Sequence, residues 1–371
     1  MKAVAVFPGS QQVKIIEQET PQLRRPDQVR LRTLDVGICG TDSEICSFEY
    51  GTPPPGQDHL VIGHELLAEV VQVGSAVERL RVGDLVVPSV RRPCRHRGCL
   101  ACRSGHQDYC YTGEFSERGI SEADGFMAGY VVDQERYMNL VPAGLREIAV
   151  LAEPLTIAEK ALAQIFWTMQ HRPPWLDPQT PSEERGQGLS ALVLGLGPVG
   201  LLGAMTLAAA GFTTYVYSRE EPPSPRIDLV TAIGATYVST ETTAFPDLAA
   251  QVGNIDLIYE AAGHSHFALR ALQVLGTNGI FVLTGVPGLQ AFVEADPARR
   301  MRDMVLKNQM LLGTVNAGTQ DFAAALRDLD VFRRRWPAVV GALIAGRYPP
   351  EQAPDLILGR PAGIKSVITF D

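Results

Sequence analysis

Cys39-Gly40-Thr41-Asp42, Gly63-His64-Glu65 and Ala152-Glu153-Pro154 bring a thiolate, an imidazole and carboxylates into one chain. Cys39, His64 and Glu153 are the three-donor set a zinc ion takes when its fourth position must stay open for a substrate oxygen. His64 and Glu65 are neighbours, so on a regular strand they would face opposite ways. Either the chain is kinked there and Glu65 also reaches the metal, or Glu65 orients the ligands from behind. Thr41 sets a hydroxyl two residues beyond the thiolate, suited to relaying a proton.

A second kind of chemistry follows. Gly195-Leu196-Gly197-Pro198-Val199-Gly200 comes straight after the apolar run Ala191–Leu194, and no charged residue occurs from Pro198 to Gly211. Between a buried strand and a helix, such glycines give a tight turn, close backbone approach to a pyrophosphate, and helix-to-strand packing. The helix N-terminus then faces the anion with free N–H groups. A Lewis-acid metal and a dinucleotide together imply hydride transfer at an alcohol carbon. The next strand ends Val216-Tyr217-Ser218-Arg219-Glu220. Ser218 stands where an NAD site carries an acid for the ribose 2′-hydroxyl. A small hydroxyl followed by Arg219 suits a 2′-phosphate, so NADP is the preferred cofactor. Glu220 and Glu221 keep NAD open.

Cys94, Cys99, Cys102 and Cys110 are spaced for a closed four-thiolate zinc site with a structural role. The first interval is wide, and His96 is the alternative first ligand. Cys46 stands alone and reads as buried and structural. His264 and His266 read as loop residues near the cofactor, and Arg333-Arg334-Arg335 as a solvated helix face.

Distant elements must position these groups. Up to residue 150, short β runs (Val29–Arg32, Ala68–Val73, Asp84–Pro88) punctuated by Gly and Pro predict a compact barrel-like fold. Apolar spacing predicts a helix over Pro154–Met169, and Arg172 to Gly188 reads as a linker. Beyond it, strands Ala191–Leu194, Thr214–Tyr217, Ile255–Tyr259 and Ile280–Leu283 alternate with helices Val199–Ala210, Ile227–Ile233, Phe267–Leu275 and Pro297–Lys307. That alternation predicts a doubly wound parallel sheet. Amphipathic segments Phe322–Phe332 and Pro337–Ala345 and a strand Lys365–Phe370 are expected to return to the first domain. The expected domains are 1–186, completed by 317–371, and 187–316.

The 371 residues, 46% hydrophobic and 20% charged, fit a two-domain globular protein. The formal charge of −8 gives no reason to expect nucleic acid or an anionic membrane surface as partner. No apolar run nears the ~20 residues that span a bilayer. Met1–Val6 reads as a strand without a signal cleavage pattern, and six cysteines are too few for a disulfide scaffold. A cytoplasmic protein is expected.

The order of Cys-Gly-Thr-Asp, Gly-His-Glu, cysteine lobe and glycine loop resembles the zinc-containing medium-chain alcohol dehydrogenases over essentially the whole chain. Within them it most resembles the glucose 1-dehydrogenase branch. The finer match lies in Arg91-Arg92-Pro93-Cys94, Tyr111-Thr112-Gly113-Glu114-Phe115, Asp124-Gly125-Phe126-Met127, Glu159-Lys160-Ala161 and Thr314-Val315-Asn316. The resemblance implies a GroES-like catalytic domain, a Rossmann domain, and oxidation of an unphosphorylated aldose, D-glucose and also D-galactose, at C1 to the lactone. It implies that Glu114 and Asn316 bind sugar hydroxyls and that Glu153 touches substrate or a zinc-bound water. Thr41 would lie between the C1 oxygen and the nicotinamide ribose. Cofactor contacts are implied for Ala262, Thr284, Gly285, Val286, Thr314, Val315 and Asn316, and a homodimer or homotetramer through the Rossmann sheet edge. Glu153 stands where many relatives have cysteine, and Glu44 where several have a relay histidine. Ser89 and Ile157 replace polar sugar ligands of some relatives, which keeps another sugar, polyol or secondary alcohol open as substrate. A non-catalytic dinucleotide-binding protein is the alternative of another class.

Overall fold

The computed structural model describes residues 1–172, 175, 180–287, 296–359 and 363–370. Its contacts divide into two compact units: residues 1–156, 316–333 and 340–371, and residues 157–315 with 334–339.

In the first unit, Gln28–Gly37 is the central strand. It pairs antiparallel with Glu65–Val73, Lys365–Thr369 and Tyr130–Gln134. The sheet continues through Leu85–Pro88 to Met138–Leu140 on one side and to Ile344–Tyr348 on the other. A second sheet runs Gln12–Glu17, Lys2–Phe7, Leu60–Val61. Val4, Leu31, Val36, Leu66, Val70, Phe126 and Ile368 fill the core between them. The tail therefore returns as expected, with Lys365–Thr369 inserted beside the central strand. The expected amphipathic segment 337–345 divides instead: Pro337–Ala342 is helix, and Ile344–Tyr348 is a strand. Its burial alternates and it pairs with Lys365–Thr369, so tertiary pairing overrides helical spacing.

In the second unit, six parallel strands run in the order Thr236–Ser239, Thr213–Ser218, Ser190–Leu194, Leu257–Glu260, Ile280–Leu283, Met310–Gly313. Numbered along the chain this is 3-2-1-4-5-6, the doubly wound order that binds a dinucleotide where the strand order reverses. The three central strands Ser190–Leu194, Leu257–Glu260 and Ile280–Leu283 are nearly continuous buried runs, because both of their faces are covered. Helices Pro198–Ala209, Pro225–Ala232, Ser265–Ala271 and Pro297–Leu306 fall within a few residues of expectation. Strands Thr236–Ser239 and Met310–Gly313 and helix Phe245–Val252 were not among the expected elements. His266 lies inside helix Ser265–Ala271, a correction to its expected loop placement, and His264 caps that helix. Arg333 and its neighbours end helix Thr319–Arg335.

Helix Ala152–Met169 spans the change of unit, which falls after Thr156 rather than at residue 186. Ala158, Leu162 and Ile165 share a small apolar cavity with Gly203, Leu207 and Tyr259, which ties this helix to the parallel sheet. Of the expected linker, Pro173, Pro174 and residues 176–179 lie outside the described residues, and Ser182–Glu184 is a 3-10 turn.

Candidate active site

Cys39 is delivered by the end of the central strand. The chain leaves Gly37, stays extended at Cys39 and caps helix Gly40–Cys46. Asp42 returns to accept the Cys39 backbone N–H through Oδ2 at 2.8 Å. Strand Glu65–Val73 begins at Glu65, and Gly63 just before it is left-handed at φ +88°. A Cβ there would press on Met127 and Val36. This kink lets neighbouring His64 and Glu65 both turn toward Cys39. The ligand atoms of Cys39, His64 and Glu65 lie within 4.8 Å of one another. Thr41 Oγ1 is 4.0 Å from Cys39 Sγ.

Charge is concentrated here. Asp42 and Glu65 are fully buried, and His64 nearly so. Lys365 Nζ donates to Glu65 Oε1 at 2.7 Å and to the Ile38 carbonyl at 2.9 Å. Burial alone would lower the His64 pKa, but the charges of Asp42 and Cys39 hold it well above the usual imidazole value. Burial pushes the Glu153 carboxyl up to about 7; His64 pulls it down and Glu65 raises it further. Glu153, second residue of its helix, is not among the three gathered donors. Burial and the Glu65 charge favour its neutral form, and a divalent cation is what would favour the carboxylate. Among the described residues, Glu65 Oε2 is buried without a hydrogen-bond partner, while His64 Nδ1 faces Asp42 Oδ1 at 3.5 Å. A bare buried polar atom is costly, so a soft-and-hard donor set that includes one fits a zinc ion.

The cysteine lobe closes as its spacing requires. The sulfurs of Cys94, Cys99, Cys102 and Cys110 lie within 4.8 Å of one another. His96 is outside this group, its Nδ1 accepting the Gly98 N–H at 3.1 Å. Burial raises the Cys102 thiol to about 12, whereas Cys110 is held at about 6 against burial by hydrogen bonds from Thr112. Four thiol groups with no outside ligand among them suit a closed structural zinc. Cys46 is buried, which pushes its thiol up to about 12.

In the second unit, the glycine loop joins strand Ser190–Leu194 to helix Pro198–Ala209. Gly195 is left-handed at φ +104°, and a Cβ on Gly200 would collide with the Gly195 carbonyl. Gly197, which caps the helix, has open space beside it, the cradle a pyrophosphate needs. The Gly200→Ala variant is therefore expected to bind NADPH about tenfold more weakly or worse, with unchanged zinc content. Titration of NADPH fluorescence beside metal analysis checks this.

Ser218 ends its strand and Arg219 is exposed beside it. Glu220 is turned away: its Oε1 accepts from the Ser224 hydroxyl at 2.7 Å. Thr284 donates its hydroxyl to the Glu260 carbonyl at 2.7 Å. Lys160 holds the Val315 carbonyl at 3.0 Å, and Gln164 reaches Thr314 at 3.2 Å. Asn316, left-handed at φ +60°, donates to Glu117 Oε1 at 2.6 Å, and Arg91 grips the same oxygen at 3.0 Å. Glu114 is exposed on the loop after the lobe. Ser89 is buried with its hydroxyl on the Tyr137 carbonyl. Sequence reasoning missed the roles of Asp42, Lys365, Glu117 and Glu260, because each is defined only by partners that folding brings near.

Residues 25–143 match the alcohol dehydrogenase GroES-like domain, and residues 146–370 the glucose dehydrogenase C-terminus. A glucose 1-dehydrogenase of Methanocella arvoryzae is 34% identical over 99% of both chains. One from Haloferax mediterranei is 36% identical over 88% of this chain and 87% of its own. A solved structure of Haloferax mediterranei glucose dehydrogenase, in complex with NADP, zinc and gluconolactone, superimposes with a TM-score of 0.86. It has 33% identity and covers 100% of this chain and 99% of that one. With matching families end to end and relatives of this identity across its length, the chain belongs to the glucose 1-dehydrogenase family of zinc-containing medium-chain alcohol dehydrogenases.

Proposed function

We propose that this protein is a zinc-dependent NADP oxidoreductase that oxidises D-glucose, and also D-galactose, at C1 to the lactone. The single observation that carries the reading is the gathering of Cys39, His64 and Glu65, with Glu65 Oε2 buried and unpartnered. The Haloferax mediterranei glucose dehydrogenase, solved in complex with NADP, zinc and gluconolactone, supports it.

Cys39, His64 and Glu153 would hold the catalytic zinc, with Glu65 moving between the metal and Lys365. Bound there, zinc supplies Lewis acidity that lowers the pKa of the C1 hydroxyl as hydride passes to the nicotinamide. The Thr41 hydroxyl takes up the proton and passes it outward. Glu114 and Asn316 receive sugar hydroxyls; the Glu117 hydrogen bond to Asn316 fixes which amide atoms remain free. Glu44, exposed in place of a relay histidine, does not supply an imidazole route. Gly195, Leu196, Gly197, Pro198, Val199 and Gly200 cradle the pyrophosphate. Ser218 and Arg219 take the 2′-phosphate, a preference helped by Glu220 being occupied by Ser224. Ala262, Thr284, Gly285, Val286, Thr314, Val315 and Asn316 complete the cofactor contacts. Cys94, Cys99, Cys102 and Cys110 hold the structural zinc.

No helix among the described residues is long and apolar enough to cross a membrane. The reading places the enzyme in the reducing cytoplasm, where the cysteines stay available to metal. A second copy of the chain is the expected partner. Met310–Gly313 is an edge strand of the parallel sheet, and Val286, Met301, Val305, Leu306, Leu311 and Val315 expose apolar surface in the same unit.

Metal analysis of the pure protein beside a kinetic panel of glucose, galactose, xylose, a polyol and a secondary alcohol under NADP and NAD tests the reading. It expects two zinc ions per chain and the highest kcat/KM with glucose and NADP. A panel in which polyols or secondary alcohols outrun every aldose favours the second substrate reading, which Ser89 and Ile157 keep open.

A further inference from the structure

Glu260 ends the fourth strand of the parallel sheet and is buried to 1% exposure, with no part in the hydride chemistry above. Its Oε1 accepts the backbone N–H groups of Ala262 and Gly263, each at 2.8 Å. Its Oε2 accepts the N–H of Gly285 at 3.3 Å. The Glu260 backbone carbonyl takes both the N–H and the hydroxyl of Thr284, at 3.1 and 2.7 Å. One residue thus ties together the loops that leave two adjacent strands. The loops also meet directly: a Cβ on Gly285 would collide with the Gly263 backbone.

In a doubly wound sheet each half binds one mononucleotide across the switch point. Gly195–Gly200 and Ser218–Arg219 belong to strands 1 and 2, the adenosine side. The loops after strands 4 and 5, residues 261–263 and 284–286, therefore face the nicotinamide mononucleotide. We propose that Glu260 is a positioning residue that staples these two loops into the shape that receives the nicotinamide half of the cofactor. A carboxylate suits this task because it only accepts hydrogen bonds, and bonds from N–H to a charged oxygen are the stronger kind. The inference rests on the NADP reading of the second unit.

Glu260→Gln tests it with almost no change of shape. Whichever way the amide is turned, its NH2 meets backbone N–H on one loop, so one limb of the staple is lost. Two probes are titrated against wild type and variant: NADPH, and adenosine 2′,5′-bisphosphate, which lacks the nicotinamide nucleotide. The expected result is NADPH binding weakened about tenfold or more, the scale of losing a charge-assisted hydrogen bond, with the bisphosphate unchanged. Unchanged bisphosphate binding also reports that the sheet is folded. Glu260→Asp, which keeps the charge but draws the carboxylate back by one methylene, should shift NADPH in the same direction, and serves if the first variant does not fold. Equal weakening of both probes, or NADPH binding like wild type, overturns the inference. If wild type binds neither probe, it is the cofactor reading that fails.

Discussion

His64→Ala is expected to reduce kcat/KM for glucose at least about 10³-fold, because each tenfold corresponds to about 1.4 kcal/mol and Lewis-acid stabilisation is worth several. Cys39→Ala should behave alike. Both residues belong to the gathered donor set, and neither lies in the unit that carries the glycine loop. NADPH affinity should therefore stay within a factor of about two, with the loss confined to chemistry and to zinc content. Steady-state kinetics, metal analysis and NADPH titration on the same preparations make the comparison. A variant that keeps its turnover without its zinc contradicts the assignment of these side chains.

The second large effect concerns stability. Lys365 and Glu65 are both almost completely buried and joined at 2.7 Å. Lys365→Met leaves the Glu65 carboxylate beside Gly37 without its cation, and breaking such a pair costs about 3–5 kcal/mol. Zinc would offset much of this, since Glu65 could then turn to the metal. Denaturant unfolding is expected to show a large loss in the zinc-free variant and a much smaller one in the zinc-loaded variant. Adding Glu65→Gln should recover most of the zinc-free loss, because the unpaired charge is gone. Equal destabilisation with and without zinc, unrelieved by the second substitution, would mean that Lys365 acts only through packing.

These two predictions differ in what the sequence makes legible. Cys39, His64 and the four lobe cysteines can be read from residue type and spacing alone, because a metal restricts both. The adjacency of His64 and Glu65 leaves two arrangements open, and only the left-handed Gly63 shows that both side chains turn the same way. Lys365 is 300 residues from Glu65, and nothing local marks it as more than an ordinary strand lysine. Glu260 resembles any polar strand end until the loops close on it. The parallel sheet was legible because its central strands, Ser190–Leu194, Leu257–Glu260 and Ile280–Leu283, are nearly unbroken apolar runs. Thr236–Ser239 was not, being short and only half-buried. Ile344–Tyr348 escaped for another reason: its pairing with Lys365–Thr369 is a property of the folded chain. Glu153 was recognised by type, yet its carboxyl lies outside the gathered trio, a placement that residue type and spacing do not fix.

The most direct measurement is glucose-dependent reduction of NADP by enzyme stripped of metal with a chelator and then titrated with zinc, with NADPH binding followed in parallel. The account predicts that turnover disappears with the metal, returns as zinc is restored, and leaves cofactor affinity nearly constant throughout. Full turnover by the zinc-free protein would contradict it.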